Sequence, residues 1–179
     1  LDLHTESSTY LGPDEFGQDR YETKRTEMGE YVYRLKYKSD ISVIPKIINI
    51  IINKIKGINK MDAIIPVPPS RPRESFQPVY EVAQALSKRT KVPFFKDAIK
   101  KIKKTSELKS ISDPIERQNT LKNVFSISSK FNFNNKKILL IDDLFRSGAT
   151  LKAITSIFYY YGNVQDIYVI TLTKTRINR

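Results

Sequence analysis

Cysteine is absent from the 179 residues, which excludes disulfides, thiolate metal sites and a cysteine nucleophile. Histidine is nearly absent: His4 is the single one. It lies in a polar N-terminal stretch, so no Ser-His-Asp triad or histidine metal site has support, and it reads as an incidental surface residue. There is no Walker loop and no G-x-G-x-x-G dinucleotide fingerprint. No internal repeat or low-complexity tract is present. No run approaches the roughly 20 apolar residues that span a bilayer. The longest apolar-rich stretch, residues 41–58, is broken by Lys46, Asn49, Asn53, Lys54 and Lys56, so no membrane partner is expected. The opening residues do not read as a signal peptide, and the chain opens on Leu1, which leaves room for residues upstream. A cysteine-free chain suits a reducing cytoplasm, the expected location.

What remains is globular. Hydrophobic residues make up 40% and aromatics 11%, enough for one domain with a real core. The net charge of +12 is uneven: residues 1–30 hold 8 acidic and 3 basic side chains, and the rest carries a net +17. A body that basic attracts polyanions, whether nucleic acid, nucleotides or a pyrophosphorylated sugar.

Residues 1–30, with Gly12, Pro13 and Gly17, read as an irregular arm. Tyr31–Lys38 alternates as a strand would, or begins a helix. Ser42 is placed to cap a helix with Pro45 in its first turn, Ile44, Ile47, Ile48, Ile51 and Ile55 along its inner face, and Gly57 as its stop. Residues 63–67 form a continuous apolar run, the mark of a strand buried on both faces. A helix with Val79, Val82, Ala83 and Leu86 inside follows, and residues 92–95 suggest a further strand. Residues 96–118 are rich in lysine and serine, which fits either a long exposed lid or a charged helix face over 98–109. Residues 137–141 are the clearest strand. A helix with Leu151, Ile154, Ile157, Phe158 and Tyr161 inside comes next, ended by Gly162, and residues 166–173 form the last strand. Core packing is favoured over base stacking for Tyr159-Tyr160-Tyr161. Strands alternating with helices predict an α/β fold with a parallel sheet of four or five strands.

The chemistry concentrates at residues 138–151. A buried strand delivers Asp142 and Asp143 to the carboxyl edge of the sheet, where ligands of open α/β sheets bind. The turn Arg146-Ser147-Gly148-Ala149-Thr150 then opens a helix. Unpaired amides and the helix dipole at such a turn make an anion site. Gly148 lets the backbone approach a phosphate, Ser147 and Thr150 add hydroxyl donors, and Arg146 adds a charged fork. The two carboxylates can accept hydrogen bonds from a diol or help hold hydrated Mg²⁺. A phosphate beside a diol describes a phosphoribosyl group.

The run I-L-L-I-D-D-L-F-R-S-G-A-T-L resembles the signature of type I phosphoribosyltransferases that binds 5-phosphoribosyl-1-pyrophosphate (PRPP). Arg146 departs from it, since the family usually has a small hydroxyl residue there. Pro69, Ser70 and Arg71, after the strand at 63–67, occupy the place of the family's pyrophosphate loop. Closer still is the resemblance to the ComF-like branch, carried by Pro66-Val67-Pro68, by Ser75-Phe76-Gln77-Pro78-Val79, by Lys104-Thr105 with Arg117 and Phe125, and by Leu35-Lys36. This chain lacks the cysteine zinc module common in that branch, and it has Glu74 and Ser75 before Phe76 where the branch has a different block.

The resemblance covers residues 31–173. It implies a parallel-sheet type I phosphoribosyltransferase fold with helices on both faces: an N-terminal arm or hood over 1–30 and a phosphoribosyltransferase-like domain over 31–179. It implies Mg²⁺-dependent transfer of a phosphoribosyl group from PRPP to an unidentified acceptor. Asp142 and Asp143 would serve as catalytic residues that hold the metal through water. Residues 146–150 would bind the 5-phosphate, and Lys104, Thr105 and Arg117 would belong to a lid. The alternative is a PRPP- or nucleotide-binding protein without turnover in DNA uptake, processing or defence, or a binder of single-stranded nucleic acid through Lys96–Lys109. An oligomer is compatible with either.

Overall fold

The computed structural model describes residues 1–69, 76–102 and 124–175. Among them, four parallel strands form the central sheet in the order β1-β8-β7-β4. These are β1 (Asp2–Leu3), β4 (Ala63–Pro66), β7 (Lys137–Phe145) and β8 (Asp166–Lys174). Two antiparallel pairs stand outside it: β2 (Thr5–Pro13) with β3 (Asp19–Arg25), and β5 (Ile99–Lys101) with β6 (Phe125–Ile127). The helices are α1 (Glu27–Tyr37), α2 (Ile44–Lys54), α3 (Pro78–Thr90) and α4 (Ala149–Tyr161).

The continuous apolar strands are central because both their faces are covered. Leu139 and Ile141 of β7 and Ile64 of β4 pack under α1, α2 and α3. Ile138 and Leu140 of β7 and Ala63 and Ile65 of β4 point the other way, into a core shared with α4 and the β5–β6 pair. An aromatic cluster closes that second core, with Phe133 set edge-on against Phe95 at 5.3 Å and Phe158 at 5.4 Å. Helices thus lie on both faces, as expected. The strand expected at residues 92–95 reduces to one parallel bridge, Phe94 to Ile64. Pro93 supplies no amide there, but its carbonyl accepts from Ile64 N at 2.8 Å.

Several local expectations change. The arm is not irregular: β1 extends the sheet, and β2 and β3 make a ribbon in which Gly12 marks a bulge and Gly17 lies in the tip. Of the two readings of residues 31–38, strand or helix start, the helix is the one formed, through Tyr37. Thr26 caps α1 by accepting from Gly29 N, and Met28, Val32 and Leu35 set a helical period that begins before the alternating stretch. The arm boundary expected after Glu30 therefore falls inside α1. Asp40, not Ser42, does the capping ahead of α2: its carboxylate accepts from Ser42 N at the head of a 3₁₀ turn that runs into the helix. α2 stops at Ile55, short of Gly57. Residues 96–118 are not uniformly exposed, because Ala98 and Ile99 are buried where β5 begins; residues 103–118 lie outside the described residues. Tyr159, Tyr160 and Tyr161 are all exposed rather than core, because the buried face of α4 closes at Ile157 and Phe158.

Candidate functional site

β7 does not end at the two carboxylates. Its pairing with β8 continues through Asp142 and Leu144 to Phe145, so the connection to α4 is only Arg146-Ser147-Gly148. Gly148 takes φ +74°, the left-handed conformation that lets so short a turn reverse into a helix. A Cβ there would also meet the Phe145 ring at 2.9 Å. Gly148, the N-cap, has no side chain to cap α4; Ser147 Oγ accepts from Ala149 N at a long 3.5 Å, and Lys152 N is bonded to Gly148 O at 2.8 Å in the first full turn. The N-terminal amides and dipole of α4 therefore face the mouth of this turn. Arg146 and Ser147 are exposed beside it, and Thr150 lies on the outer side of the first turn.

A cavity of about 360 Å³ opens here, lined by Lys36 and by residues 142–151. Asp142, Asp143, Arg146, Ser147, Gly148, Ala149 and Thr150 are thus brought together. Pro69 is not among the lining residues, although its loop leaves the same sheet edge, where Val67 N donates to Ile141 O at 2.8 Å. Ser70, Arg71, Lys104, Thr105 and Arg117 lie outside the described residues. A larger groove of about 520 Å³ lies at the far end of α4, around Phe125, Phe133 and Gly162. No charged side chain lines it among the described residues.

The two carboxylates differ in environment. Burial, and then the Asp143 charge, push the Asp142 carboxyl up to about 6. The Asp143 amide, which donates to Asp142 Oδ1 at 2.9 Å, and the Lys36 charge pull the other way. Asp143 is paired directly, with its Oδ2 2.6 Å from Lys36 Nζ. Lys36 comes from the last turn of α1, 107 positions away in sequence. Leu35-Lys36 carried only part of the family resemblance, and nothing in its local pattern pointed to the carboxylates.

His4 is likewise more than an incidental surface residue. It is half-buried, with Nδ1 3.3 Å from Thr173 Oγ1. That hydroxyl donates to the Asp143 carbonyl at 3.0 Å, so Nδ1 is the donor to it. Burial lowers the His4 pKa, and Arg25 and Lys36 lower it further, so the ring is neutral at pH 7. A lone histidine in a polar stretch gives no signal of this placement; β1 pairing with β8 creates it.

Residues 39–173 match the family described as "Phosphoribosyl transferase domain". Competence protein F of Haemophilus influenzae is 32% identical over 117 residues, 63% of this chain and 50% of that protein. The chain thus spans about half the length of that curated relative. Among solved structures, an adenine phosphoribosyltransferase from Thermoanaerobacter pseudethanolicus has TM-score 0.51 at 15% identity, covering 93% of this chain and 83% of that one. The Saccharomyces cerevisiae adenine phosphoribosyltransferase has TM-score 0.51 at 10% identity, with the same coverage of 93% and 83%. Identities this low speak for the fold alone.

Proposed function

Since the chain belongs to the phosphoribosyl transferase domain family, we propose that it binds PRPP at the Asp142–Thr150 cavity and transfers the phosphoribosyl group to an acceptor, releasing pyrophosphate. The observation that carries this is the junction of β7 and α4: two adjacent carboxylates followed by a three-residue turn that ends in left-handed Gly148 and opens a helix whose N-cap residue has no side chain. Carboxylates repel phosphate, and a helix N-terminus attracts it. A ligand that satisfies both carries an anion at one end and a diol at the other. Asp142 and Asp143 accept from the ribose hydroxyls, and the α4 amides with Ser147, Thr150 and Arg146 hold the 5-phosphate. In the transfer, the bond from ribose C1 to the pyrophosphate oxygen breaks and a bond from C1 to the acceptor forms. Ser70 and Arg71 are the residues proposed to meet the departing pyrophosphate.

Mg²⁺ fits this site as a guest of the substrate. Among the described residues no group of three carboxylates or histidines could hold a metal by itself. An adjacent carboxylate pair suits an ion that keeps its waters and takes its other ligands from phosphate. Asp142 and Asp143 would hold it, and when bound it supplies positive charge to the leaving group.

Calorimetry with PRPP and Mg²⁺ tests binding, and pyrophosphate release with a panel of nucleobases tests transfer. Binding and release are expected from the wild type, and loss of both from Asp142→Asn/Asp143→Asn. No heat with PRPP or any ribose 5-phosphate compound would overturn the proposal.

A second reading, PRPP or nucleotide binding without turnover in a protein that handles DNA, draws on the net +17 beyond residue 30 and on the similarity to Competence protein F. PRPP binding without pyrophosphate release from any acceptor would favour it. Single-stranded DNA affinity that falls steeply with salt, and that is lost on charge reversal at Lys100, Lys101, Lys103 and Lys104, would add the nucleic-acid role.

A further inference from the structure

The β2–β3 ribbon leaves the body of the protein. Its register runs from Thr5 opposite Arg25 to Pro13 opposite Asp19, and its tip is specified closely. Asp14 N donates to Gln18 O at 2.8 Å, and the Asp14 carboxylate accepts from Phe16 N at 2.9 Å and Gln18 N at 2.8 Å. A tip built this way holds a formed ribbon and not a loose tail. At its base, Arg25 lies 3.7 Å over the Tyr33 ring and 3.6 Å from Glu30. Beyond that base nearly every residue faces solvent. Tyr10 and Tyr21 pack at a tilt with ring centroids 5.3 Å apart yet stay more than half exposed, and Phe16 at the tip is 80% exposed.

A two-stranded ribbon is marginal in water by itself, and apolar rings carried this far out call for cover. The charge says where the cover is. From Leu1 to Asp19 there is no lysine or arginine; the tip holds Asp14, Glu15 and Asp19 against Arg20, while Lys24 and Arg25 lie towards the base. Pairing two such tips would set like charges together. The body of this same chain carries a net +17, with Lys91, Lys96 and Lys100 exposed among the described residues.

We propose that the ribbon is an intermolecular arm that docks on the basic body of a second copy, each protomer lending its arm to the other. The exchange is reciprocal, so one complementary contact is made twice and the assembly closes. It is independent of the phosphoribosyl transfer proposed above and survives if that transfer fails.

Sedimentation equilibrium of the full chain decides it. A dimer is expected in about 0.1 M salt, where screening acts over about 10 Å, and its dissociation constant should rise at least about tenfold in about 1 M salt, where screening acts within about 3 Å. Glu15→Lys, which leaves the Asp14 tip bonds in place, should weaken the dimer by at least about tenfold while leaving circular dichroism and melting temperature unchanged, as expected for an exposed side chain. With no native cysteine, Phe16→Cys gives a unique attachment point for a benzophenone, which should crosslink to residues beyond 30 in the other copy. A monomer in both salts, an undiminished dimer in the charge-reversed variant, or crosslinks confined to ribbon residues would each overturn the proposal.

Discussion

Asp142 is held against its own preference. Burial and the neighbouring Asp143 raise its pKa to about 6, above the ordinary carboxylate range, so ionising it costs stability. The protonated form is favoured by folding; the stability it contributes is full below the unfolded value near 4 and is lost as pH rises through about 6. Asp142→Asn removes that cost. The variant should melt higher than wild type at pH 8, by up to about 3 kcal/mol of added stability, with the gain shrinking towards pH 4. It should lose PRPP binding at the same time. Differential scanning calorimetry across pH, paired with titration calorimetry, checks both halves. Lys36→Met should act in the opposite sense, since the Lys36 charge lowers the Asp142 pKa and pairs with Asp143. The midpoint of PRPP binding against pH should then move upward from the wild-type value. An unmoved midpoint would mean that Lys36 has no hold on the carboxylates.

Two close approaches govern how the elements meet. Gly148→Ala places a Cβ at φ +74°, 2.9 Å from the Phe145 ring. The backbone cost is about 1–2 kcal/mol, and the exposed ring has room to yield. Stability should fall by about that amount, while PRPP affinity falls at least about tenfold because the turn can no longer present its amides in place. Gly29 is tighter: a Cβ on this helical residue would overlap the His4 carbonyl oxygen. That oxygen belongs to backbone and cannot step aside cheaply. Gly29→Ala should therefore strip β1 from β8, seen as faster hydrogen exchange at His4, whose amide donates to Lys174 O at 2.8 Å. The site would lose the His4–Thr173–Asp143 connection without a change in any residue that lines the cavity.

At the scale of the whole molecule, the sheet stands between two cores of described residues. The candidate site lies where both converge, at the carboxyl edge of β7, with Lys36 brought from the α1 side and the turn from the α4 side. A ligand that engages both sides resists unfolding of either. PRPP with Mg²⁺ at about 100 times its dissociation constant should add about 2.7 kcal/mol of stability, in one transition and not two. A thermal melt with and without ligand shows this; separate transitions of which only one shifts would place the ligand on one core alone.

The β7–α4 turn with its two carboxylates was legible in sequence because the parts that make it are local. The apolar run 138–141, the paired carboxylates and Gly148 lie within a dozen consecutive residues, and strand period and glycine conformation act over that range. The buried faces of α3 and β4 were legible for the same reason. Other features were decided only by tertiary structure. Tyr31–Lys38 alternates like a strand, but the Thr26 cap and the core beneath Val32 and Leu35 make it helix. Lys36 and His4 reach Asp143 through contacts between elements far apart in sequence, and no local pattern encodes such a pairing. Tyr161 follows the apolar stripe of α4 in sequence, yet it stands in solvent because Ile157 and Phe158 already close the face. Local chemistry set which groups stand at the β7–α4 turn, and long-range packing set which charges surround them, because electrostatic partners are chosen by distance in space and not along the chain.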